Sequence, residues 1–177
     1  MLFKNGDITV RKLEVSDKYL LAKWLSDPTI LEFYEGRDQQ FDLDKVTRVF
    51  YTLEEEEVKC IVEYQERAIG YIQFYQLDDL TKEEYGYGKE NMYGIDQFIG
   101  EAECWNKGIG TLLVTSMAAF LSERMEANKI VVDPQSTNLR AIACYEKCGF
   151  KKVKFLPKRE LHEGEYRDCW LMVYQSV

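Results

Sequence analysis

Lys107, Gly108 and Gly110 stand in the stretch ECWNKGIGTLL, residues 103–113, just ahead of an apolar run with helical spacing. Glycine is a poor helix former, and two of them at a helix start mean that something must come close to the backbone. Free N–H groups at a helix N-terminus, assisted by the helix dipole, bind negative charge, and Lys107 adds a point charge. Strand, Gly-x-Gly turn and helix in that order can therefore hold a phosphate. Two better-known phosphate signatures do not fit. The third glycine of GxGxxG would fall on Leu113, and GxxxxGK[ST] is absent. On these residues alone, an ordinary glycine-rich turn stays open as the alternative.

Few other residues offer acid–base or nucleophilic chemistry. His162 is the single histidine, so a mechanism that needs a histidine base uses that one or none; LHEG around it reads as a loop. The five cysteines are odd in number and form no CxxC pair. Cys144 and Cys148 lie one helical turn apart, but without further ligands the pattern predicts reduced, partly buried thiols and no metal. Asp96 sits near the end of MYGIDQFIG, where an aspartate can act as a base or cap a turn. Tyr145 follows Asn138 by seven residues, about two turns, which places both on one helix face. Tyr145 can equally be a core residue or an acid.

Those residues need a framework, and the pattern of apolar positions supplies one. ITVRKLEV reads as a first strand, and Ser16 as the cap of a helix over DKYLLAKWLSD. DLDKVTRVFYT predicts a second helix with Asp42 or Asp44 at its start. VKCIVEY and AIGYIQFYQL are rich in β-branched and aromatic residues and read as an antiparallel hairpin. DDLTKEEYGYGKEN reads as a polar loop, and MYGIDQFIG as a fourth strand. Ile109, Leu112, Leu113, Met117, Phe120, Leu121 and Met125 form an apolar helical stripe. KIVVD is a strand stopped by Pro134. NLRAIACYEKCGF has Asn138 as N-cap and Gly149 as the residue after the C-cap. KKVKFLP and YRDCWLMVYQ are the last strands. Strand–helix alternation in the second half gives an α/β fold with a mixed sheet.

With 177 residues, 46% of them hydrophobic and 14% aromatic, the chain can bury a real core. One domain over residues 1–177 is the expectation, with no sign of a phosphotransferase after Val177. No apolar run approaches the roughly 20 residues of a membrane span, and the N-terminus lacks a secretory core. A cytoplasmic monomer is expected. The net charge of 23 − 31 = −8 argues against nucleic acid and anionic membrane as partners and permits a cationic ligand. The acidic run Glu54–Glu57 reads as solvated surface.

The order of strand, WNKGIGT, long helix, VVDP and NLRAIACYEKCGF resembles the GNAT superfamily of acyl-CoA-dependent N-acetyltransferases. That resemblance implies the GNAT fold, a mixed central sheet of about seven strands flanked by helices. LEFYEGRD, YGIDQFIGE and LPKRELHEGEYRDCWLM extend it to the aminoglycoside 6′-N-acetyltransferases, including the acetyltransferase half of the bifunctional acetyltransferase–phosphotransferases. The similar blocks run from about Trp24 to Met172.

The resemblance implies a function and a set of roles. The activity is acetyl transfer from acetyl-CoA to the 6′-amine of aminoglycosides, without a metal; another GNAT amine substrate, such as a siderophore precursor or a protein N-terminus, is the alternative. Trp105, Lys107, Gly108, Ile109, Gly110 and Thr111 form the pyrophosphate loop, with Trp105 standing where Gln or Arg is usual. Asn138 is a coenzyme contact as well as a cap, and the backbone of Gln97, Phe98 and Ile99 faces thioester and pantetheine. Asp96 is the catalytic carboxylate and Tyr145 the acid for the leaving thiolate. Trp24, Tyr34, Glu35, Asp96, Asp133, Glu163 and Asp168 are the substrate candidates, Asp133 the strongest of the loop acids.

Overall fold

A computed structural model describes residues 1–52 and 56–176. Of the acidic run, Glu54 and Glu55 lie outside the described residues, while Glu56 is exposed and Glu57 opens a strand. The strands are β1 (Phe3–Asn5), β2 (Ile8–Lys12), β3 (Glu57–Tyr64), β4 (Arg67–Gln76), β5 (Met92–Ile99), β6 (Lys129–Val132), β7 (Lys151–His162) and β8 (Glu165–Gln175). The helices are α1 (Lys18–Trp24), α2 (Pro28–Leu31), α3 (Leu43–Phe50), α4 (Asp79–Glu84), α5 (Ile109–Arg124) and α6 (Leu139–Lys147). The strands follow the order β1-β2-β3-β4-β5-β6-β8-β7 in one mixed sheet. The chain packs as two compact units, Met1–Gln73 with Gln97–Lys107, and Phe74–Asp96 with Gly108–Val177.

In the first unit β1, β2 and β3 form an antiparallel meander in which Phe3 faces Val10 and Val10 faces Val62. Its core gathers Leu21, Trp24, Leu31, Phe50, Tyr71 and Phe98. The strand read as ITVRKLEV is β2, and it ends at Lys12, not Val15, because Asp17 captures the chain there. Its carboxylate accepts from the Glu14 N–H at 2.7 Å and from both terminal nitrogens of Arg11 at 2.8 and 2.9 Å. Burial alone would raise the Asp17 carboxyl, but Arg11 and the Glu14 amide outweigh it and hold the group below its ordinary value. Ser16 therefore lies inside a short 3-10 turn and caps nothing. The helix read over DKYLLAKWLSD stops at Trp24, and Asp27 with Pro28 starts α2, the Asp27 carboxylate accepting from the Thr29 N–H at 2.9 Å.

In the second unit β5 and β6 run parallel with Met92 opposite Lys129, and β6 pairs antiparallel with β8. The polar stretch read as a loop holds α4, because Asp78 accepts from the Thr81 N–H at 2.8 Å and nucleates a helical turn. The strand read as KKVKFLP runs on through Pro157 to His162. Pro157 is tolerated because β7 is an edge strand, and the register shifts between Leu156 and Glu160 to pass it. α5 buries Ile109, Leu113, Met117 and Leu121 of the apolar stripe, with Val114 and Ala118 beside them, while Leu112, Phe120 and Met125 are half-buried. α6 is capped as its sequence demands. Asn138 accepts from the Ala141 N–H at 3.2 Å, and Gly149 reverses the chain at φ 95°. Among the described residues no helix is long and apolar enough to cross a membrane.

Candidate active site

The second unit brings two carboxylates within electrostatic reach of one another. The parallel β5–β6 pairing runs as far as Gly94 opposite Val131; Asp96 follows two residues on within β5, and Asp133 comes directly after the end of β6. Asp133 keeps 40% of its side-chain surface open. Desolvation by the surrounding protein, then the charge of Asp96, push its carboxyl up to about 7; Arg159, 3.8 Å away, pulls the other way. Asp168 is exposed and accepts from the Lys158 N–H at 2.9 Å, which pins the bulge in β7. Glu163 and Gly164 make the two-residue turn of the β7–β8 hairpin, both at positive φ (51° and 81°). Glu163 is largely covered, its side chain 17% exposed and 3.9 Å from the buried His162.

The glycine turn of the same unit has room above it. Gly108 is the N-cap of α5 at φ 78°, a conformation that side chains rarely adopt, and a Cβ there would meet nothing within 4 Å. Gly110 lies inside the first helical turn without that conformational need, and a Cβ there would touch only Cys144 Sγ, at 3.8 Å. Packing within the chain gives no reason for that second glycine. Tyr145 is buried, its ring 5.6 Å from Phe150. A further residue, which the sequence did not single out, is Arg159. Its guanidinium donates to Glu84 at 2.8 Å and to the Tyr85 hydroxyl at 2.7 Å while facing Asp133. Only the continuation of β7 past Pro157 brings it there.

Gln97, Phe98, Ile99, Trp105 and Lys107 belong to the first unit. Phe98 is buried, with Tyr34 at 4.6 Å, Tyr71 at 5.6 Å and Trp24 at 6.1 Å between ring centroids, so this residue can offer a ligand its backbone alone. The indole of Trp105 donates to the Ile99 carbonyl oxygen at 2.9 Å, which commits its one N–H donor to the strand end. Lys107 is exposed, as is Glu35, which adopts φ 71°.

Trp24 takes a place different from the substrate contact expected of it. It is 1% exposed, packs against Gly100 and donates to Glu101 Oε1 at 3.2 Å. That leaves it a scaffold rather than a ligand surface. Glu101, a buried carboxylate that also accepts from Lys23 at 3.0 Å, was not singled out from sequence.

The sequence profile described as an acetyltransferase (GNAT) domain matches residues 14–157. The chain belongs to this family of GNAT acetyltransferases. It is 34% identical over 155 residues to the aminoglycoside N(6′)-acetyltransferase type 1 of Klebsiella pneumoniae, covering 84% of this chain and 76% of that one. A kanamycin resistance protein of Rhizobium radiobacter is 48% identical over 59 residues, 33% of this chain and 55% of that one. Among solved structures, aminoglycoside acetyltransferase AAC(6′)-Ib in complex with coenzyme A and kanamycin superposes with a TM-score of 0.76. The two share 28% identity, over 95% of this chain and 94% of that one.

Proposed function

We propose that this chain transfers the acetyl group of acetyl-CoA to the 6′-amine of aminoglycoside antibiotics and thereby confers resistance. The observation that carries this reading is the pair Asp96 and Asp133. Two carboxylates within electrostatic reach repel one another, which is part of why Asp133 holds its proton, and an ammonium group between them relieves that cost. An aminoglycoside brings several. Asp168 and Glu163, in the same unit, add negative charge for the remaining ammonium groups, and the family resemblance implies Tyr34 and Glu35 as further substrate contacts. The relatives named above act on or bind such antibiotics, which supports the assignment.

Asp96 orients the 6′-amine and accepts its proton, directly or through water. The open space over Gly108, with Ile109, Gly110 and Thr111 in the first turn of α5, fits a pyrophosphate on the helix N-terminus, and Lys107 and Asn138 supply neighbouring polar contacts. Backbone groups of Gln97, Phe98 and Ile99 position the thioester. Tyr145 donates a proton to the departing thiolate. Trp105 contributes through the Ile99 carbonyl rather than by reaching phosphate. Acetyl-CoA supplies the activated acyl group, and the protein supplies orientation and proton transfer.

The test is thioester cleavage, followed by its ultraviolet absorbance, against kanamycin, tobramycin and their 6′-hydroxyl analogues. Turnover with the 6′-amines and none with the hydroxyls is expected. Asp96→Asn lowers kcat by at least about a hundredfold. A flat panel with intact acetyl-CoA binding removes the aminoglycoside reading and points to another amine.

A further inference from the structure

The space above the glycine turn is bordered by a thiol that the reaction does not use. Cys144 Sγ lies 3.8 Å from where a Gly110 Cβ would be and 3.7 Å from the Thr111 hydroxyl, against the first turn of α5. Cys144 is half-buried, so a reagent can reach it. Behind it sits Cys148, which accepts from the Thr115 hydroxyl at 3.4 Å. The one S–H of Cys148 is within reach of both the Cys144 sulfur and the Thr111 carbonyl oxygen, the latter at 3.6 Å. A sulfur anion at Cys144 is therefore stabilised by the Cys148 thiol and the Thr111 hydroxyl. Hydrogen bonding from Cys148 is the largest of these influences, and it holds Cys144 below an ordinary thiol while Cys148 is held above.

We propose that Cys144 is a thiol-modification site that controls the coenzyme turn: a low-molecular-weight disulfide exchanges with it, and the adduct shuts off coenzyme binding. This rests on the pyrophosphate reading of the Gly108–Thr111 turn. The Cys144 thiolate attacks one sulfur of the disulfide. The S–S bond of the reagent breaks, a Cys144–S–S–R bond forms, and the other half leaves with the electron pair as RS⁻. No further oxidant is needed, and excess thiol reverses the step. The adduct occupies the space beside Gly110 and so bars the coenzyme from the turn. Bound coenzyme covers the same space and protects Cys144 in return.

Cys104 is the internal control, since it is also half-buried but belongs to the other unit, whereas Cys60, Cys148 and Cys169 are buried. The probe is the aromatic disulfide dithiobis-nitrobenzoate on the native protein, with released thiolate counted, the adduct located by peptide mass spectrometry, and acetyl-CoA affinity measured by calorimetry. Acetyl-CoA is used because the free thiol of coenzyme A would strip the adduct. One fast equivalent on Cys144 is expected, slowed by acetyl-CoA. Affinity should fall at least about tenfold in the adduct and recover after dithiothreitol. Cys144→Ser and Cys144→Ala should bind acetyl-CoA normally and resist the reagent. Fast labelling at Cys104 instead, an adduct at Cys144 with unchanged affinity, or equal inactivation of both variants overturns the inference alone. An untreated protein that does not bind acetyl-CoA overturns the coenzyme reading and this inference with it.

Discussion

Asp133 carries a proton where ordinary aspartates have lost theirs, and the sign of that shift is testable. Its ordinary value is 3.8 and its value here about 7, raised first by desolvation and then by Asp96. Between those values the folded chain keeps a proton that the unfolded chain releases, so this group makes stability fall as pH rises through that window. Asp133→Asn removes the penalty. The melting temperature of the variant relative to wild type should therefore be more favourable at about pH 8 than at about pH 5. A difference that does not change with pH would mean that Asp133 ionises normally. The sequence named both aspartates through a family resemblance, but not their pairing. That depends on β6 lying beside β5 across the whole of α5, which local spacing does not encode. Arg159 was illegible for a related reason, since Pro157 reads as a strand end and becomes tolerable only at a sheet edge.

Elements with their own chemical punctuation were the legible ones. Asn138 and Gly149 bracket α6, and the apolar stripe gives the buried face of α5. α4 and α2 were missed because each is a short polar or proline-led turn held by one aspartate cap, a signal too local for periodicity to detect. β1 spans three residues, fewer than alternation needs. α5 supplies the prediction at this scale, because its first turn sacrifices helix propensity at Gly110. The backbone there is helical, and a methyl would meet Cys144 at an ordinary contact distance. Gly110→Ala should therefore stabilise the fold by about 0.5–1 kcal/mol. It should also weaken acetyl-CoA binding, because the methyl occupies space left for the ligand. Thermal melts and calorimetry on one preparation separate the two effects. A variant that gains stability and binds acetyl-CoA as well as wild type would make Gly110 an ordinary helix residue and undo the pyrophosphate assignment.

For the molecule as a whole, charge is the property that composition gave without any structure. At −8 the chain surrounds itself with a negative potential, which draws a polycation inward and opposes a polyanion. The two proposed substrates have those opposite signs. Aminoglycoside association is favoured by the long-range field and by the carboxylates that border the site. Acetyl-CoA meets long-range repulsion and finds attraction only at short range, at Lys107 and the first turn of α5. Salt screens the long-range part first, because the Debye length at physiological ionic strength is about 8 Å. Raising the salt concentration should therefore lower kcat/KM for kanamycin several-fold. The same change should leave kcat/KM for acetyl-CoA less affected, since screening there removes repulsion and attraction together. Initial rates with each substrate varied at low and high sodium chloride decide the matter. Equal losses for both substrates would show that the net charge plays no part in selecting the amine, and would leave Asp96 and Asp133 to do so at contact range.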